Sequence, residues 1–113
     1  MEKRKKSIRL EAVFNEPAPE NIRIPEIVIY SRENFNGVSL RTNCNIEYVG
    51  DCLNDDVYSA VVVSGEWQFY KDAGFINKLG GTLKPGYYPD LKIVDPSDLG
   101  ISSIECINLN GIV

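Results

Sequence analysis

The chain contains no histidine. That absence removes Ser-His and Cys-His nucleophilic catalysis, and it removes the usual histidine zinc sites. Cysteine is scarce: Cys44, Cys52 and Cys106 form no CxxC pair. An odd count at these spacings reads first as small buried residues in a reducing compartment, so a cytoplasmic protein is expected, with secretion and a Cys44–Cys52 disulfide as the alternatives. No run approaches the roughly 18 consecutive apolar residues of a membrane-spanning helix, so a soluble protein is expected. A phosphate-binding glycine loop and a cofactor motif are also lacking, and no two carboxylates are spaced to face one cleft. No enzymatic activity is expected.

What is present is unevenly charged. Residues 1 to 10 hold five basic side chains against Glu2, so the overall −4 leaves −8 for the remainder. An acidic body argues against nucleic acid as a partner and suits a cation. The basic head would suit a membrane or nucleic acid, but a solvated terminus explains it with less, and no membrane partner is expected. It is followed neither by an apolar core nor by a small-residue cleavage site, so it does not read as a secretory signal.

At 113 residues one domain is expected. Residues 1–26 read as an arm: "NEPAPENIRIPE" carries Pro17, Pro19 and Pro25, which no helix or central strand tolerates. Within the arm, Ile8, Leu10, Ala12 and Phe14 alternate closely enough to form an extra edge strand. From residue 27 no window carries a helical stripe. Short apolar runs, "EIVIYS", "VSLRT", "IEYV", "VYSAVVV", "EWQFYK", "KLGGTL", "LKIV" and "ISSIECI", alternate with Gly, Asn, Asp and Pro clusters. This is an all-β pattern with strands for two four-stranded sheets.

The chain also repeats itself. "IYSRENFNG" at 29–37 aligns with "FYKDAGFIN" at 69–77, placing Tyr30 on Tyr70, Phe35 on Phe75 and Gly37 on Asn77. "LNDDVYSAVVV" then aligns with "PSDLGISSIEC", placing Ser59 on Ser103, with four extra residues in the second connecting loop. Two such halves imply a pseudo-twofold β-sandwich. In each hairpin two aromatics pack together, and the Gly or Asn position calls for positive φ.

The spacing Tyr-x-x-x-x-Phe-x-Gly, repeated and followed by an acidic turn leading into a serine strand, resembles the Greek-key motif of the βγ-crystallin superfamily. The resemblance covers residues 27–107, with motif A at 27–64, motif B at 65–107 and the domain running to residue 113. "SGEWQFY" resembles the start of the second motif, and "PGYY" resembles that superfamily's tyrosine corner at Tyr88. Non-lens and microbial members bind calcium through a doubled pattern: two Asn/Asp residues, two variable residues, Ser/Thr, then Ser. The resemblance implies that each ion takes a hydroxyl and a backbone carbonyl from one loop and the second Asn/Asp side chain from the other, an oxygen set suited to calcium.

In this chain the first copy reads Asn54, Asp55, Asp56, Val57, Tyr58, Ser59, and the second reads Asp98, Leu99, Gly100, Ile101, Ser102, Ser103. The exchange between loops sorts the losses. The site pairing Tyr58 with Leu99 loses both side-chain ligands, and the site pairing Ser102 with Asp55 keeps both. One calcium site is therefore expected, built from Asp55, the Ser102 hydroxyl, the Gly100 carbonyl and a hairpin carbonyl near Ser31 or Lys71, with Asp56 a possible rescue for the degenerate site. The expected protein is a monomeric, calcium-stabilised domain of structural or stress-protective type. The competing expectation is an interaction or effector module of the same fold that binds no calcium.

Overall fold

The structure is a computed structural model that describes residues 24–108. The arm up to residue 23, with its suggested strand, lies outside the described residues. Seven strands are present: β1 (Glu26–Arg32), β2 (Asn36–Thr42), β3 (Ser59–Ser64), β4 (Glu66–Asp72), β5 (Ile76–Leu83), β6 (Gly86–Tyr88) and β7 (Ser103–Asn108). All pairings between strands are antiparallel. They form one sheet ordered β2-β1-β3-β6 and a second ordered β5-β4-β7. The fold is the expected all-β Greek-key sandwich, with sheets of four and three strands instead of two of four.

Two of the eight apolar runs do not form strands. At 46–49 the chain makes one bridge, Ile46 to Ile104, and otherwise only scattered bonds, from Val49 N–H to the Ser102 carbonyl and from Gly74 N–H to the Glu47 carbonyl. At 91–94 the chain coils into a short 3-10 turn, because the Asp90 carboxylate takes the Lys92 N–H at 2.9 Å. Leu91 and Val94, three apart, are then buried while Ile93 is exposed, a period of three where a strand needs two. The strand of this region is instead β6, three residues earlier. Tyr88 closes it as a tyrosine corner, donating its hydroxyl to the Lys84 carbonyl at 2.6 Å.

The sheets also exchange edges. β6 belongs to the second half of the sequence yet pairs with β3 of the first, and Ile46 of the first half bridges to β7 of the second. Paired bonds express the pseudo-twofold: Asn34 N–H to Pro89 O matches Gly74 N–H to Glu47 O, and Tyr58 N–H to Tyr30 O matches Ser102 N–H to Tyr70 O. Between the sheets lie Ile27, Ile29, Ala60, Val62, Trp67, Phe69 and Ile104, all essentially inaccessible. The Trp67 indole N–H is satisfied by the Ser64 carbonyl at 2.9 Å, so the bulkiest core residue leaves no polar group unpaired.

Each half carries a folded-over hairpin. Phe35 and Phe75 sit at φ 63° and 62°, a region costly for a residue with a side chain, and Gly37 and Asn77 at 83° and 65°, as the pattern predicts. Edge-to-face contacts, Tyr30 with Phe35 and Tyr70 with Phe75, both at 5.7 Å, hold the rings. The backbone is held by one hydroxyl per half. Ser59 accepts the Phe35 N–H at 2.9 Å and donates to the Arg32 carbonyl at 2.6 Å. Ser103 accepts the Phe75 N–H at 3.1 Å and donates to the Asp72 carbonyl at 2.7 Å. Both serines are fully buried. Replacing either with alanine strands two backbone groups, so Ser59→Ala and Ser103→Ala are each expected to lose about 1–3 kcal/mol in urea unfolding. Ser39→Ala, on exposed β2, should stay within about 0.5 kcal/mol of wild type.

Candidate functional site

The two acidic loops precede β3 and β7, so the hairpin serines also fix where those loops end. The first loop is a tight turn: Leu53 and Asn54 donate to the Gly50 carbonyl and Asp56 to that of Leu53, with Asp55 at φ 62°. Asp55 N–H then crosses to the Ile101 carbonyl at 3.1 Å and ties the two loops together. The second loop is held from within. Asp95, 8% exposed, accepts the Leu99 N–H at 2.8 Å on one carboxylate oxygen and the Gly100 N–H at 2.9 Å on the other. The loop is buttressed by Gly80, where a Cβ would come within 2.8 Å of the Val94 backbone.

At one end of the loop pair, Asp55, Ser102 and Gly100 come together. The Ser102 hydroxyl donates to Asn54 Oδ1 at 2.6 Å, and its oxygen lies 3.5 Å from Asp55 Oδ1. That second distance is too long for a good hydroxyl hydrogen bond, and the single proton has its better acceptor in Asn54. It does suit two oxygens that share a calcium ion, since ligands at about 2.3–2.6 Å and roughly a right angle stand about 3.4 Å apart. Gly100, at φ 99°, packs so closely that any Cβ would overlap the Asp55 carboxylate. Ser102 is nearly buried while Asp55 is exposed, so the cluster opens to solvent on one side.

The pairing of β4 with β7 separates the two hairpin candidates. Ser102 N–H donates to the Tyr70 carbonyl, which puts Lys71 next in line at this cluster. Tyr58 N–H donates to the Tyr30 carbonyl, which puts Ser31 beside Tyr58 instead. Ser31 therefore falls outside the Asp55–Ser102 cluster. Its hydroxyl is occupied in accepting the Val38 N–H at 2.8 Å. Tyr70 itself is buried beneath its hairpin, its ring against Phe75. Its buried phenol donates to Glu105 Oε1 at 2.7 Å, and burial, then that bond, pushes its pKa up to about 12.

The other end differs. The Tyr58 hydroxyl donates to Asp98 Oδ1 at 3.0 Å, a bond that raises the phenol pKa, and Leu99 points outward at 53% exposure. An open cleft beside it is lined by Ser31, Arg32, Glu33, Cys52, Asp56 and Tyr58. Asp56 thus faces the degenerate end. Cys44 and Cys52 are exposed and not bonded to each other, and Cys106 is only half-buried, against the expectation of small core residues. Both exposed cysteines stand in irregular chain outside the strands, where no sheet face covers them.

Among the described residues no group of three His, Cys, Asp or Glu side chains is arranged to hold a metal. The Asp55 end offers one carboxylate, a hydroxyl, an amide oxygen and backbone carbonyls. Such a set fits a hard cation and excludes a thiolate or imidazole centre. Asp95 went unnoticed in the sequence, although an Asp ahead of Pro-Ser signals an Asx turn.

An antiparallel sandwich of two folded hairpins with crossing loops defines a double Greek-key protein. The model for the beta/gamma crystallin family matches residues 26–107, and the chain belongs to that family. Among solved structures, a βγ-crystallin from an archaeon shares 32% identity with a TM-score of 0.67, covering 74% of this chain and 99% of its own. A transition-metal-ion-binding βγ-crystallin from Methanosaeta thermophila shares 23% identity, with a TM-score of 0.59 and coverage of 72% and 99%. A βγ-crystallin domain of Abundant Perithecial Protein from Neurospora crassa, in its Ca2+-bound form, shares 19%, with a TM-score of 0.54 and coverage of 80% and 96%. These last two share the fold. Among curated proteins no match was found.

Asp95→Ala should lower stability by about 1–3 kcal/mol in denaturant unfolding and speed amide exchange at Leu99 and Gly100. Unchanged exchange at both amides would mean that Asp95 does not hold the loop.

Proposed function

We propose that the protein is a non-enzymatic calcium-binding domain with one site, at the Asp55–Ser102 end, whose ion stabilises the fold. The supporting observation is the approach of two oxygens from separate loops, Ser102 Oγ and Asp55 Oδ1, to 3.5 Å, while the shorter hydroxyl contact, 2.6 Å, is made to Asn54. Asp55, Ser102 and the carbonyls of Gly100 and Lys71 would hold the ion, and water would complete its shell. Bound there, calcium supplies a cross-link between the loops and no chemistry beyond it. One carboxylate, neutral oxygens and an absence of histidine favour calcium over the transition ions bound by the Methanosaeta relative.

The Tyr58 end would bind no ion, since a phenol–carboxylate bond and an outward leucine stand where ligands would be. On this reading the domain acts as a monomeric structural or stress-protective protein of the cytoplasm, where exposed thiols such as Cys44 and Cys52 stay reduced.

Calorimetric titration of chelator-treated protein with calcium should give a stoichiometry near one. At a hundredfold excess of free calcium over the dissociation constant, stability should rise by about 2.7 kcal/mol. Asp55→Ala should abolish the heat. An absence of heat in the wild type, or full binding by Asp55→Ala, would overturn the assignment.

A further inference from the structure

The first residue of each loop pattern, Asn54 and Asp98, is not among the cation ligands assigned above, yet both make the same contact. Asn54 Oδ1 accepts the proton of Ser102 at 2.6 Å, and Asp98 Oδ1 accepts that of Tyr58 at 3.0 Å. In both, the first position of one loop meets the fifth position of the other. The Tyr58–Asp98 copy persists where both side-chain ligands are gone, so the contact does not depend on a neighbouring ion site. In the Asp55 half it acquires a second consequence.

A serine hydroxyl has one proton and two lone pairs. Released from Asn54, that proton would turn to the nearest charged acceptor, the Asp55 carboxylate 3.5 Å away. The space between these two oxygens would then receive a proton, and an entering cation would have to break a charge-assisted hydrogen bond. With the proton held on the Asn54 amide oxygen, both lone pairs of the hydroxyl remain free for a cation beside Asp55. Ser102 is nearly buried, so water offers few alternative partners.

We propose that Asn54 is a positioning residue of the calcium site: it holds the Ser102 proton and so turns the hydroxyl lone pairs toward the ion. The inference rests on the calcium reading above. The variants Asn54→Leu, close in volume but without an acceptor, and Asn54→Asp, which keeps the acceptor, separate the possibilities. Asn54→Ala serves if Asn54→Leu does not fold, as judged by thermal melts in chelator. Calcium affinity, read by calorimetry or by NMR titration where it is weak, should fall about tenfold to a hundredfold in Asn54→Leu and be preserved in Asn54→Asp. In a Ser102→Ala background, Asn54→Leu should cause no further loss, because the two residues act through one hydroxyl. Wild-type affinity in Asn54→Leu, or an equal loss with and without the Ser102 hydroxyl, would overturn the inference while leaving the calcium reading intact. Absence of calcium binding by the wild-type protein would overturn both.

Discussion

One buried hydroxyl in each half sets the geometry of everything around it. Ser59 and Ser103 each bond a backbone N–H and a backbone carbonyl of a hairpin whose phenylalanine sits in the left-handed region. That backbone conformation costs roughly 1–2 kcal/mol, and a buried serine that satisfies two groups offsets it. No apolar residue of that size would do so. Because the same serine opens the following strand, it fixes the residue before it, Tyr58 or Ser102, against the end of β1 or β4. The candidate ligand and the hairpin thus share one support.

The two halves diverge from that common frame through a few side chains. Ser102 is short enough to stay near its own backbone, leaving room among Asn54, Asp55 and Gly100. Tyr58 reaches past the equivalent space to bond Asp98 directly. The longer second loop contributes Asp95, which satisfies the Leu99 and Gly100 amides from inside. The first loop has no such internal acceptor for Asp55, whose amide crosses to Ile101 instead. Near-symmetric backbones therefore carry one open oxygen cluster and one closed contact.

Much of this was legible in the sequence because it rests on local constraints. Aromatic spacing with Gly37 and Asn77 announced the hairpins, and the Ser59–Ser103 alignment announced the repeat. The exchange of residues between loops separated the Asp55–Ser102 pair from Tyr58 and Leu99. What was hidden depends on irregular loops and on strand register. The segment at 91–94 is apolar enough for a strand, but Asp90 and the packing of Leu91 and Val94 turn it into a coil. Lys71 and Ser31 are equivalent by sequence, and only the register of β4 on β7 and β1 on β3 assigns them to different ends. Asp95 ahead of Pro-Ser signals an Asx turn, but that local signal does not reveal which amides, four and five residues on in an irregular loop, its carboxylate satisfies.

The exchanged edges have a consequence for how the chain folds. Without β6, β3 would be an uncovered edge, and without the 46–49 segment β7 would lose its contact with Ile46. Neither motif is therefore a complete unit, and the pairings that finish each sheet join residues dozens of positions apart. Loop closure must come before those contacts form, which favours slow, all-or-none assembly over stepwise assembly of halves. A chain cut between the motifs would expose an unpaired strand edge on each side, the kind of surface through which fragments add to one another.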